Sequence, residues 1–350
     1  MLTQEHIDFF HTHGYLIMRG LIGGRELAVL QEQADHVIAQ GLAGQGKRHL
    51  YRSSADGRRT YWRSEEMWQR DPIFLAVTVN PDLLENIGQC MGQAFYPWND
   101  SLVVKVAQAG APVDWHQDPP YDDPARERSY PVPNFTTDIY LDHSGPENGC
   151  LWALPGYHLV GHVDLDQRTT EELFEASGAI PIEMEAGDVL FHPITLPHGS
   201  RASASPQQRR IFYVHYLAEE VFADAYSTSP KMRWGEEKRA QIRQMIEARR
   251  AEGWEVPTER QTLRLTDDGL VFVGTPTTPH AYWGECTATW SPERVTAMKQ
   301  LVPLQKGSKR QGTGGSLTTD GRECVPDYAP TDFTSRIKRV ASLRSSCSTV

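Results

Sequence analysis

The chain lacks a basic charge surplus and long apolar runs, and each absence excludes a class of protein. Its formal net charge is −10 over 350 residues, so a nucleic-acid partner is not expected, because phosphate binding requires a basic surface. No run of about 18 apolar residues occurs, and no membrane span is therefore expected. The first residues are polar and acidic, which predicts that no signal peptide is present.

Paired cysteines are also lacking. The five cysteines are Cys90, Cys150, Cys286, Cys324 and Cys347, an odd number without CxxC spacing. This pattern predicts neither a disulfide framework nor a thiolate zinc site, and a cytoplasmic location is expected. The remaining composition, with 39% hydrophobic and 23% charged residues, is ordinary for a globular protein and implies no protein partner.

The spacing of apolar residues predicts helices early in the chain and short strands later. Helices are expected over residues 3–12, with Thr3 as the N-cap, 25–40, 81–90 and 233–253. Strands are expected over 14–18, 101–107, 136–142, 150–154, 180–184, 188–192 and 210–217, a spacing typical of a β-sandwich or barrel. The polar, arginine-rich residues 45–65 predict a loop.

One domain is predicted over residues 1–303. It comprises a helical N-terminal part over 1–97, a β-rich core over about 98–217 and a C-terminal extension over 218–303. Residues 304–350 are rich in Gly, Ser, Thr, Lys and Arg, which predicts a disordered tail.

A His-x-Asp triplet at His116 and Asp118 offers two metal ligands. On a strand, residues i and i+2 point to the same side, so one nitrogen and one oxygen can reach a common ion. The best candidate for a third ligand is His198. Two histidines and one carboxylate with open positions are typical of non-haem Fe(II) oxygenases. Each part alone also has an ordinary explanation, since the triplet suits a surface turn and a lone histidine is more often structural.

An arginine at the start of a predicted strand suggests a co-substrate. Arg209 follows His198 by eleven residues and opens a β-rich run. Its planar fork can hold a carboxylate through two parallel charge-assisted bonds. The neighbouring Arg210 is the alternative clamp, but a strand turns it to the opposite face.

Several motifs in order resemble those of the phytanoyl-CoA dioxygenase family of Fe(II)/2-oxoglutarate-dependent oxygenases. Trp115–Asp118 resembles the family's proximal ligand pair. Glu147–Leu151 with Leu154–His158 is similar to its NGCL…PGSH turn, with tyrosine where serine is usual. Gly187–His192 followed by His198–Ser200 resembles its GD…FH…HGS segment. The resemblance covers roughly residues 5–217.

The resemblance implies a mainly β fold with flanking helices, a double-stranded β-helix (jelly-roll, cupin-like). It assigns the iron ligands to His116, Asp118 and His198, and the distal carboxylate of 2-oxoglutarate to Arg209, with Ser200 in support. The implied reaction uses O2 and 2-oxoglutarate to hydroxylate or desaturate an unactivated C–H of a small metabolite, with release of succinate and CO2, as in secondary metabolism. Because Asp118 fills the position that a halide would need, hydroxylation or desaturation is favoured over halogenation.

Two other functions stay open. The first is a cupin-like metal-binding protein or isomerase that uses no 2-oxoglutarate, and the second is a non-catalytic binding scaffold. Two details near the site also have alternatives. Asp138 either pairs with Lys105, binds a polar substrate group or is exposed. The arginine-rich residues 58–63 form either a local anion-binding patch or a solvated loop.

Overall fold

The computed structural model describes residues 1–53, 57, 59–92, 94–118, 135–160, 163, 165, 170–175, 178–219 and 231–274. Helices span Gln4–His13 (α1), Gly24–Leu42 (α2), Pro72–Thr78 (α3), Pro81–Met91 (α4), Thr170–Phe174 (α5) and Lys231–Ala251 (α6). Strands span Leu16–Met18 (β1), His49–Ser53 (β2), Arg59–Glu65 (β3), Phe95–Lys105 (β4), Val113–His116 (β5), Phe135–Tyr140 (β6), Leu151–Ala153 (β7), Ile180–Ile182 (β8), Val189–Pro193 (β9), His198–Ser200 (β10), Arg209–Ala218 (β11), Leu263–Thr266 (β12) and Gly269–Phe272 (β13).

Local sequence explains where the N-terminal helices begin. The hydroxyl of Thr3 accepts from the backbone N–H of His6, so α1 has the predicted cap. α3 and α4 each begin with a proline, which needs no hydrogen-bond partner at that position. The side chain of Asp71 accepts from the backbone N–H of Ile73 and caps α3. The side chain of Asn80 accepts from the backbone N–H of Leu83 and caps α4. Short polar residues therefore fix the helix starts independently of the sheet.

The strands form two antiparallel sheets that pack against each other. The large sheet has nine strands in the order β1–β9–β6–β11–β4–β13–β12, and the hairpin β2–β3 joins it where β3 pairs with β4. The small sheet has four strands in the order β5–β10–β7–β8. On β11, Phe212 and Val214 face the core that the helices cover. Ile211 faces the other way and packs with Leu190 of the large sheet and Leu151 of the small sheet, in the space called the interior below.

One hydrophobic cluster joins the N-terminal helices, the large sheet and the C-terminal elements. It includes Phe10 of α1, Leu30 of α2, Phe212 of β11, Ile242 of α6 and Leu263 of β12. The parts predicted as an N-terminal region, a β-rich core and a C-terminal extension thus share buried contacts. None of the helices in the described ranges combines the length and apolar character that a membrane span needs.

The predicted helices and strands are present, but several elements of the structure were not predicted. Residues 45–65 were expected to be a loop, and this prediction is wrong, because β2 and β3 form a hairpin there. The N-terminal part is therefore not purely helical. Its arginines stack on aromatic rings, with Arg52 lying 3.8 Å from the Trp62 centroid and Arg59 4.2 Å from that of Tyr51. Such stacking lets an arginine-rich segment cover apolar surface as a strand.

The helix α5 and the short strands β5 and β10 also lie outside the predicted ranges. The helix α3 and the hairpin β12–β13 were not predicted, although both contribute buried residues to the main cluster. The strands expected at the centre of the chain are present within a few residues of their predicted bounds. The tail predicted over 304–350 lies outside the described residues.

Candidate active site

The two candidate histidine ligands face each other across a pair of short strands. His116 ends β5 and His198 begins β10, and the two residues are direct antiparallel partners. Gly199 permits this approach, since a Cβ there would lie 3.1 Å from the carbonyl oxygen of Val113 and from Cγ of Trp115. Asp118 follows β5 by two residues, and its backbone N–H donates to the carbonyl of Ile194 at 2.9 Å.

The three candidate ligands converge on one point. One ligand atom from each of His116, Asp118 and His198 lies within 4.8 Å of the others. His116 Nε2 is 3.6 Å from Asp118 Oδ1. The two imidazole rings have centroids 4.3 Å apart. The Nδ1 atoms bond to backbone carbonyls, that of His116 to Asp114 at 2.8 Å and that of His198 to Leu196 at 2.9 Å. This arrangement leaves each Nε2 lone pair for a metal.

The protonation states of these residues suit a divalent cation. Burial opposes ionisation of the Asp118 carboxyl, but its contact with His116 and the charges of His198 and His192 outweigh this and lower its pKa. Burial, assisted by the charge of His116, lowers the pKa of His198 to about 3. Asp118 Oδ2 is buried and has no hydrogen-bond partner among the described residues. An anionic carboxylate with an unsatisfied oxygen beside a neutral imidazole is the donor set that a metal ion requires.

Arg209 is a buried cation on the interior face of the large sheet. It is 2% exposed, lies opposite Lys105 on β4, and forms no ion pair with any carboxylate of the described residues. Its Nε has no hydrogen-bond partner among those residues either. Burial lowers the pKa of this guanidinium, although Tyr140 opposes the effect. A buried charge without a counter-ion is costly, so the site is suited to receive an anion.

Arg210 has a different role on the opposite face. Its guanidinium contacts Asp142 through Nε at 2.8 Å and Nη2 at 2.6 Å. Its Nη1 bonds to Asp35 at 2.7 Å and to the carbonyl of Gln31 at 3.1 Å. These groups satisfy its donors and tie β11 to α2. The alternation of the strand thus separates the two arginines as the sequence predicts.

Lys105 on β4 and Ser200 on β10 are two further buried polar residues. Lys105 Nζ donates to the carbonyl of Ala111 at 2.6 Å. Burial and the charges of Arg209 and Arg52 lower its pKa well below the usual value. Ser200 is 4% exposed and lies two residues after His198, on the same side of β10. The structure thus places Ser200 in the buried part of the ligand strand.

Asp138 pairs with a histidine and not with Lys105. Its Oδ2 lies 3.5 Å from His192 Nε2, and both side chains are buried. His192 also bonds to the hydroxyl of Thr136 at 2.7 Å, and its ring centroid is 4.8 Å from that of His198. Of the alternatives left open by the sequence, the pairing with Lys105 and full exposure are therefore wrong.

Two residues of the arginine-rich stretch 58–63, for which an anion-binding patch and a solvated loop were both left open, lie in a strand. Trp62 and Arg63 belong to β3, and Arg63 lies beside Val103 of β4 on the row that contains Ile211. The guanidinium of Arg63 is 5.9 Å from the ring centroid of Tyr213. Burial and the charge of Asp118 raise the pKa of Tyr213 well above its usual value, and Arg63 opposes them. Tyr213 is therefore a buried phenol close enough to both Asp118 and Arg63 to be influenced by their charges. The aromatic pair at positions 61 and 62 was the signal for a strand.

Comparison with known proteins identifies the family. The family model described as phytanoyl-CoA dioxygenase (PhyH) matches residues 10–211. The methylphosphonate hydroxylase of Gimesia maris is 25% identical over 232 residues, which cover 64% of this chain and 86% of that protein. The peroxisomal phytanoyl-CoA dioxygenase of Homo sapiens is 23% identical over 251 residues, which cover 65% and 72%.

Solved structures show the same fold. EctD from S. alaskensis with bound Fe matches with a TM-score of 0.52 at 20% identity, over 63% of this chain and 78% of that one. HygX from Streptomyces hygroscopicus with nickel and 2-oxoglutarate bound matches with a TM-score of 0.51 at 17% identity, over 62% and 88%. The expected double-stranded β-helix is thereby confirmed. Because the family model spans more than half of the sequence, the chain belongs to the phytanoyl-CoA dioxygenase family and is a non-haem Fe(II)/2-oxoglutarate-dependent dioxygenase.

Proposed function

We propose that His116, Asp118 and His198 hold Fe(II), and that Arg209, supported by Ser200, holds the distal carboxylate of 2-oxoglutarate. The reaction that we infer is hydroxylation or desaturation of an unactivated C–H of a small metabolite. The observation that carries this proposal is the combination of an unsatisfied buried carboxylate oxygen on Asp118 with a buried Arg209 that has no ion-pair partner and an unsatisfied Nε among the described residues. The Asp118 carboxylate favours binding of a cation, and the Arg209 guanidinium favours binding of an anion.

The residues of the chain would bind and orient the metal ion and the co-substrate, and they exclude water from the site. Iron with 2-oxoglutarate supplies the oxidising chemistry, in which O2 and the co-substrate yield succinate and CO2 as a C–H bond is oxidised. The backbone carbonyls of Asp114 and Leu196 hold the two imidazoles so that Nε2 faces the ion. The packed sheets shield the site, which strengthens its charge interactions.

Asp118 bears on the outcome of the reaction. As a carboxylate ligand it occupies a position that a halide would otherwise take, so oxygen insertion or loss of two hydrogens is expected. The competing function is a zinc protein or isomerase on the same scaffold, since two histidines and a carboxylate also bind Zn(II). Such a protein has no use for an unpaired Arg209, which favours the oxygenase.

The test is a succinate-release screen over metabolite pools, with mass-spectrometric detection of a gain of one oxygen or a loss of two hydrogens. Methylphosphonate belongs among the first compounds, because one relative carries that substrate in its name. Anaerobic addition of Fe(II) and 2-oxoglutarate should also give a weak visible charge-transfer band. Tight zinc binding without this band, and no succinate from any pool, would refute the proposal.

The cytoplasmic location stays a prediction.

A further inference from the structure

A group of hydrogen-bond donors on β3 and β4 lacks acceptors. Trp62 is 7% exposed, and its Nε1–H has no partner among the described residues. The Nε of Arg63 and the hydroxyl of Ser101 are also buried atoms without a described partner. Unsatisfied buried donors are uncommon in folded proteins and each costs stability, so three of them together call for an explanation.

These donors belong to neighbouring residues of the paired strands β3 and β4. Arg63 pairs with Val103 of β4, and Ser101 lies two residues from Val103 on the same face. Ser101 in turn lies opposite Tyr213 of β11. Trp62 adjoins Arg63, whose guanidinium is 5.8 Å from the indole centroid. The cluster is therefore on the large sheet, beside Tyr213.

The charge of the cluster is positive. Arg52 stacks on Trp62 with its guanidinium 3.8 Å from the ring centroid, and it donates to the carbonyl of Pro112 at 3.2 Å. Glu65 approaches Arg63 Nε to 3.8 Å, which is beyond hydrogen-bond distance. Glu65 thus offsets part of the charge without occupying the N–H donors. The side chain of Arg63 is 28% exposed, so a ligand can reach it from solvent.

We propose that Arg63, Trp62 and Ser101 bind an oxyanion, either a phosphonate, a phosphate or a carboxylate group, on the primary substrate. This inference rests on the proposed function and assigns its substrate to anionic small molecules. Arg63 supplies the charge and N–H donors, Trp62 adds a donor from a ring that Arg52 holds in place, and Ser101 adds a hydroxyl. The anion is distinct from 2-oxoglutarate, whose distal carboxylate belongs to Arg209.

The test is calorimetric titration of the anaerobic Fe(II) protein with saturating 2-oxoglutarate, so that the Arg209 site is filled. The probes are methylphosphonate, acetate, the neutral ester dimethyl methylphosphonate and tetramethylammonium. We expect at least one oxyanion to bind, and Arg63→Gln to weaken it by about tenfold or more, as expected for a lost charge-assisted bond. Arg63→Lys should lie between the two, because it keeps the charge but loses the fork. Trp62→Phe keeps the ring and should weaken binding by a few-fold.

Arg25→Gln is the matched control, since it removes an equal charge from an exposed helix residue that pairs with Glu252. It should leave anion binding unchanged, and thermal melts establish that each variant is folded. The proposal is overturned if the neutral ester or the cation binds as well as the oxyanions, if Arg63→Gln binds them normally, or if none binds up to about 10 mM. The visible charge-transfer band with Fe(II) and 2-oxoglutarate tests the proposed function separately. Arg63-dependent anion binding without that band would retain an anion site but refute the oxygenase, and with it the assignment of the anion to its substrate.

Discussion

Replacing Arg209 by alanine separates co-substrate binding from stability, because the adjacent Arg210 provides a matched control on the other face of β11. Arg209 is 2% exposed, so a carboxylate bound to it would be largely removed from water. Loss of one side of such a pair costs about 2–5 kcal/mol, and about 1.4 kcal/mol is a factor of ten. Arg209→Ala should therefore raise the 2-oxoglutarate requirement by about 30-fold to a few thousand-fold.

The free energy of unfolding should respond in the opposite order, with Arg210→Ala more destabilising than Arg209→Ala. Arg209 forms no ion pair with the described residues, so its removal relieves a buried charge and should cost little. Arg210→Ala instead leaves Asp142 without its bidentate partner. Removing one member of a buried pair costs about 3–5 kcal/mol, and we take the lower end because Asp142 is partly exposed. At about 2–4 °C per kcal/mol, Arg210→Ala should melt about 6–12 °C lower.

Two measurements check this contrast. Succinate release as a function of 2-oxoglutarate concentration gives the co-substrate requirement, and a thermal melt gives the stability of each variant. The reasoning is refuted if Arg209→Ala binds 2-oxoglutarate normally, or if Arg210→Ala raises the requirement as much as Arg209→Ala does. Either result would mean that another residue binds the distal carboxylate of 2-oxoglutarate.

Three other perturbations test separate parts of the structure. His116→Ala should lose bound iron, measured by metal analysis, and all turnover, since two remaining ligands hold the ion poorly; retention of stoichiometric iron would exclude His116 as a ligand. The wild type with Asp118 intact should form no chlorinated product in chloride buffer, as judged by mass spectrometry. Burial lowers the pKa of His158 to about 3, so the folded state excludes a proton that the unfolded chain binds below about 6.5. The stabilisation that depends on neutral His158 is present above that pH and is lost as pH falls, by about 1.5–2 kcal/mol between pH 6.5 and 5. Urea unfolding of His158→Asn should show a smaller loss of stability over the same range. An unchanged pH dependence in this variant would contradict the assignment.

Short-range features of the site were predictable because they depend on local geometry. The alternation of Arg209 and Arg210 follows from the strand itself, whereas Asp118 lies two residues beyond the end of β5 and is positioned by its bond to Ile194. The helix start at Thr3 follows from a side chain that bonds within its own turn. The hairpin β2–β3 was not predictable in this way, because its arginines lie against aromatic rings of both strands. The number of arginines in residues 45–65, taken alone, indicates a solvent-exposed loop.

The sequence by itself determined the family, through motifs in a fixed order, and with it the identity of the candidate ligands and the clamp. Tertiary structure alone decided which side chains meet. His198 lies opposite His116 only because β10 pairs with β5, and Asp138 meets His192 because β6 pairs with β9. The pairing of β3 with β4 likewise brings together Trp62 Nε1, Arg63 Nε and Ser101 Oγ, which have no hydrogen-bond partner among the described residues. Strand neighbours are set by packing between distant segments, so the partners of a buried charge are fixed by the sheet order and not by the residues next to it in the chain.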